Sequence, residues 1–96
     1  MPRFYIVNKS GSPVFYKVNI NTTGSGPGRN IPTNGHDGPF GDYASGTTIT
    51  VWWKKGVDTE VRDCVEAGCN PGKFKMPDTD VSVNLGEDAR FPEQKI

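Results

Sequence analysis

Histidine occurs once in this chain of 96 residues, at His36, and cysteine twice, at Cys64 and Cys69. That supply is too thin for a structural zinc site, which draws on several Cys and His ligands, so no metal is expected. His36 is also the sole histidine available for general acid–base work, and its neighbour Asp37 points to the opposite side of an extended backbone, so the two form no dyad. A Gly-x-Ser-x-Gly elbow, a phosphate-cradling loop and a zinc-binding helix motif are all missing. Gly35-His-Asp-Gly38 and Asp78-Thr-Asp80 offer oxygens, but not the longer ordered series of a calcium loop, and they read as turn residues. An enzyme is therefore not expected, and neither is a cofactor. No apolar run approaches the roughly 20 residues that a spanning helix needs. The formal net charge is zero, with no basic stripe interleaved with aromatics, which excludes nucleic acid as a partner.

What the chain does have is β-forming sequence, punctuated by twelve glycines and eight prolines that follow no repeat period. Strand-forming residues begin at position 3. Arg3-Phe-Tyr-Ile-Val-Asn8 and Val14-Phe-Tyr-Lys-Val-Asn-Ile20, separated by a Ser/Gly/Pro turn, read as a β-hairpin. This start leaves no room for a targeting segment, so synthesis in the cytoplasm without a signal peptide is expected. Residues 21–28 read as a loop, Arg29-Asn-Ile-Pro32 as a short edge strand at most, and residues 34–46 as a second glycine-rich loop carrying His36, Phe40 and Tyr43. Thr47-Thr-Ile-Thr-Val-Trp-Trp-Lys54 is the strongest strand. Its alternation places Ile49, Val51 and Trp53 in the core and Trp52 on the opposite face, where it lies under a loop or stands exposed as a contact residue. Lys55-Gly56 is expected to turn the chain into a solvated strand over residues 57–64. Further strands follow, with Phe74 and Met76, then Val81, Val83 and Leu85, facing inward. The expected fold is all-β, one domain over residues 1–96, a compact antiparallel β-sandwich of about 6–8 short strands. Residues 86–96 are expected to be an extended or frayed tail.

Charge is unevenly distributed along the chain: Arg3, Lys9, Lys17 and Arg29 precede His36 without a single acid, and eleven acids against seven bases follow. Interleaved strands would scatter these charges over a mixed surface; segregated, they would form a cationic face suited to anionic lipid or glycan. Cys64 and Cys69 flank an expected turn, and their close spacing favours a disulfide that clips the loop once the protein is released from the producing cell. The aromatic residues Tyr5, Phe15, Tyr16, Phe40, Tyr43, Trp52 and Trp53 exceed what one small core readily absorbs. Rings with a polar tip beside loops suit sugar-binding and membrane-interface surfaces. The candidate ligand-binding residues are His36, Asp37, Phe40, Tyr43 and Trp52.

The run Ile6-Val-Asn-Lys-Ser-Gly-Ser-Pro-Val14, the alternation ending at Val18-Asn19, and Gly46-Thr-Thr-Ile-Thr-Val-Trp-Trp-Lys-Lys-Gly56 resemble a family of small insecticidal proteins of soil pseudomonads that act on rootworm beetle larvae. The resemblance covers roughly the first 56 residues; the cysteine pair and the longer stretch between residues 21 and 46 depart from it. A looser likeness, on the same opening and the Gly-Thr-Thr-Ile-Thr-Val run, is to the aegerolysins, β-sandwich proteins that bind membrane lipids. These likenesses imply a toxin-like or defence protein that is released to act on another organism, recognising a membrane lipid or glycan on target cells. A small carbohydrate-binding lectin is the alternative. An exposed edge, at Arg29 or Val57, would allow a homodimer.

Overall fold

A computed structural model describes residues 2–22, 24, 26–58, 60 and 62–86 of the chain. Its seven strands are β1 (Phe4–Asn8), β2 (Val14–Ile20), β3 (Arg29–Ile31), β4 (His36–Phe40), β5 (Thr48–Lys55), β6 (Asn70–Lys75) and β7 (Val81–Leu85). They form two sheets, one ordered β4-β1-β7 and the other β3-β2-β5-β6. The alternation of the sequence generates the core between them. Phe4, Ile6, Val83 and Leu85 of the first sheet pack against Val14, Tyr16, Ile31, Ile49, Val51, Trp53 and Phe74 of the second, with Met76 closing one end. Each fully buried aliphatic or phenylalanine side chain in this set contributes roughly 1.5–3 kcal/mol.

The opening strands both form, but they do not make a hairpin: β1 pairs with β4 and β7, while β2 pairs with β3 and β5. Asn8 supplies the reason. Its side chain is wholly buried, and its amide donates to Ser12 O at 2.7 Å, to Pro32 O at 3.0 Å and to Ile31 O at 3.3 Å, while its Oδ1 accepts from Ser10 N and Ser10 Oγ. These bonds gather the turn at residues 9–13 and the end of β3 around one side chain. The chain thus steps across the roughly 10 Å between packed sheets, not the 4.8 Å between paired strands. Nor is the sandwich wholly antiparallel. β1 and β7 run parallel in the register Phe4↔Val81 to Asn8↔Leu85, whereas the pairs within the second sheet are antiparallel.

Two further expectations are corrected. Five residues of the expected loop at residues 34–46, His36–Phe40, are strand β4. The described part of residues 57–64 holds no strand; its Asp63 makes a single bridge to Pro27. Asp58 accounts for this, because it turns inward to be nearly buried instead of alternating outward. It accepts Lys54 Nζ at 3.0 Å, Arg62 Nε at 3.0 Å, Arg62 Nη2 at 2.9 Å and Glu60 N at 3.1 Å. Cys64, Ala67 and Cys69 of the connection consequently pack on Phe15 and Trp52 at the outer face of the second sheet, and β5 pairs instead with β6. The expected tail lies outside the described residues, apart from Gly86. Among the described residues no helix is long and apolar enough to cross a membrane.

Candidate functional site

At the side of the sandwich where β4 and β3 are the edge strands, the sheets leave a cleft of about 230 Å³, lined by Tyr16, Lys17, Val18, Ile20, Pro27, Arg29, Phe40 and Tyr43. Its walls follow from strand periodicity. Tyr16, Val18 and Ile20 are alternate residues of β2, and Arg29 stands opposite Tyr16 in the β2–β3 register. The first sheet's wall is aromatic: Phe40 stacks on Phe4 with centroids 4.9 Å apart, and Tyr43 lies 6.0 Å from the same ring.

Glycine permits two close approaches that set these walls. Gly28, between Pro27 and Arg29, comes so near β2 that a Cβ there would meet Phe15 Cζ at 2.6 Å and Tyr16 O at 2.8 Å. Gly41, at φ +142°, presses against Arg3 between Phe40 and Tyr43.

The polar centre of the cleft is the Tyr16 hydroxyl, which donates to Asp37 Oδ2 at 2.5 Å and so joins β2 of one sheet to β4 of the other. Burial pushes the hydroxyl's pKa well above its ordinary value, with the hydrogen bond to Asp37 adding to the effect and Arg29 opposing it. The hydroxyl therefore stays protonated and remains a donor. The cleft accordingly offers aromatic surface, a guanidinium and a phenol–carboxylate pair, which is equipment for holding a polar ring-sized group. The volume is below the roughly 300–1,000 Å³ of sites for drug-sized ligands.

Of the residues expected at a site, Phe40 and Tyr43 line the cleft, and Asp37 does not line it but accepts the hydrogen bond of the Tyr16 hydroxyl. His36 is exposed on β4 and does not line it. Trp52 lies on the opposite face of the second sheet, packed with Phe15, Cys64, Cys69 and Ala67. Its indole N–H is buried and has no hydrogen-bond partner among the described residues. The structure has the Cys64–Cys69 disulfide, so Trp52 is under a loop that the disulfide closes. Tyr16 and Arg29 are the site residues that reading along the chain missed. Tyr16 alternates with Val18 and Ile20 as a core residue would, and Arg29 follows a featureless loop.

Among the described residues no three His, Cys, Asp or Glu side chains group closely enough to hold a metal ion. No protein-family model, curated protein or solved structure matches the chain.

Proposed function

We propose that this protein is a small toxin-like or defence binding protein, released to act outside the producing cell, and that it recognises a cell-surface component of a target organism by holding one sugar unit in the cleft. The observation that carries this reading is the convergence of Phe40, Tyr43, Tyr16 and Arg29 at one opening between the sheets, with Asp37 bonded to the Tyr16 hydroxyl. Aromatic faces stack on the apolar side of a sugar ring, while planar polar side chains bond its hydroxyls. Lys17 and Arg29, both lining the cleft, favour a second reading in which the bound unit is the phosphate-bearing headgroup of a membrane lipid.

Amide chemical-shift titration against a glycan panel and against phospholipid vesicles separates the two. Under the sugar reading, one free glycan shifts resonances of β2, β4 and residues 40–43. Phe40→Ala and Tyr43→Ala each weaken its binding at least tenfold, and His36→Ala leaves it unchanged. Shifts with vesicles alone support the headgroup. No response to either, up to about 1 mM ligand, overturns both.

A further inference from the structure

Among the described residues, three of the four sheet edges carry features that discourage pairing with another chain. β3 has three residues and is followed by Pro32; β4 contains Gly38 and Pro39 and pairs with β1 through a register irregularity; β6 contains Pro71, Lys73 and Lys75. Short length, proline, bulges and lysine are the usual guards of an edge. The fourth edge is β7, Val-Ser-Val-Asn-Leu, which has no proline, glycine or charge and is rich in β-branched residues.

The ladder to β1 fixes which backbone groups this edge presents. Val81 N donates to Arg3 O at 3.1 Å and Lys9 N donates to Leu85 O at 2.8 Å, so Val81, Val83 and Leu85 turn their N–H and C=O groups toward β1. Ser82 and Asn84 turn theirs outward, and their side chains are exposed on the outer face.

From this we infer that β7 is a self-pairing edge, and that its partner is a second copy of the same chain. A two-fold axis at Val83 overlaps the whole strand antiparallel with its copy. Ser82 then sits opposite Asn84 of the partner subunit, and Asn84 opposite Ser82 of the partner subunit. Each pair is of the hydrogen-bonded type, exchanging two backbone bonds. The same register places the Ser82 hydroxyl beside the Asn84 amide of the partner subunit, so the outer row is complementary in donors and acceptors, and no charge opposes another within the strand. The contact is isologous and closes, so it ends at a dimer. The product is a six-stranded sheet with β4 at both ends. The two clefts lie on the β4 side of each subunit, away from the new seam, and both stay open. Two clefts on one body would raise avidity for a surface that displays many copies of a ligand. The pairing itself does not depend on the cleft's ligand.

Light scattering coupled to size exclusion on the full chain, over a concentration series, tests this together with amide exchange. A dimer is expected whose Ser82 and Asn84 amides lose protection on dilution, while the Val83 amide stays protected throughout. The Ser82→Lys/Asn84→Lys double variant sets like charges opposite one another across the seam and raises the dissociation constant at least tenfold, with an unchanged circular dichroism spectrum. A monomer up to about 1 mM, a dimer indifferent to the double variant, or Ser82 and Asn84 amides protected equally at every dilution would each overturn it. The wild-type exchange result decides the matter even if the double variant fails to fold.

Discussion

Asp58 is a single carboxylate that takes the place of a strand. In sequence, residues 57–64 alternate as a solvated strand does, yet this acid is 7% exposed and collects bonds from Lys54, Arg62 and the Glu60 backbone, while its own backbone exchanges two bonds with the Asn30 side chain. The hydrogen bonds from Arg62, then those from Lys54 and the Glu60 amide, lower its pKa from the ordinary 3.8 to about 2. A depressed carboxylate stabilises the fold wherever it is ionised in both states. Its contribution is therefore complete above pH 3.8 and is lost as the pH falls toward 2. Asp58→Asn should lower the urea midpoint at neutral pH, and the gap between wild type and variant should narrow as the pH drops through that window. A gap that stays constant down to pH 2 would show that the charge is not what the variant removes.

At the scale of the element, the alternation of apolar residues records which face a side chain takes, not which strand lies next door. Ile49, Val51 and Trp53 of β5, Phe74 and Met76, and Val83 and Leu85 all point inward, as their spacing implies. Hairpins were less legible. Residues 3–20 contain every local signal for one, but Asn8 binds carbonyls from Ile31 and Pro32, partners more than twenty residues away that no local window includes. β4 was hidden for a different reason: its glycine and proline disguise an edge strand as a loop. The cysteine loop is an element made by two devices, Asp58 at one end and the disulfide at the other, where Cys64 N also donates to Gly26 O at 2.9 Å. A disulfide with a sequence separation of 5 constrains the unfolded chain by about 2 kcal/mol. Reduction, or Cys64→Ser with Cys69→Ser, should lower stability by about that amount. It should also shift Trp52 emission to the red in a Trp53→Phe background, because the sulfurs pack in the cluster that covers this indole. Unchanged stability and emission would assign the cover to Asp58 and Gly26 alone.

For the whole molecule, the order of strands is the least legible feature, because it is decided by contacts between distant ends of the chain. The parallel pairing of residues near 4 with residues near 81 leaves no trace in composition or spacing, yet it places β4 on the side where the cleft opens. The cleft residues were half legible for the same reason: Phe40 and Tyr43 stood out as aromatics in glycine-rich sequence, whereas Tyr16 and Arg29 became site residues only when the other sheet arrived. The bond from Tyr16 to Asp37 spans both sheets across that opening, and it adds to the irregular ladder of β4 with β1 and the Phe40–Phe4 stack. Tyr16→Phe should therefore loosen this side of the sandwich specifically. A hydrogen bond to a half-exposed carboxylate places the loss near 1–2 kcal/mol, since water replaces part of it. The sign of its pH dependence follows from the raised pKa: the folded state holds the phenolic proton that the unfolded state releases around pH 10, so the stabilisation is present below that pH and declines above it. In urea denaturation the wild-type advantage over Tyr16→Phe should be constant from pH 7 to 9 and shrink above pH 10. Amide exchange in the variant should quicken in β4 and remain unchanged in β6. Exchange that quickens equally in both strands would mean that Tyr16 acts as general core packing and not as the tie between the sheets at the cleft.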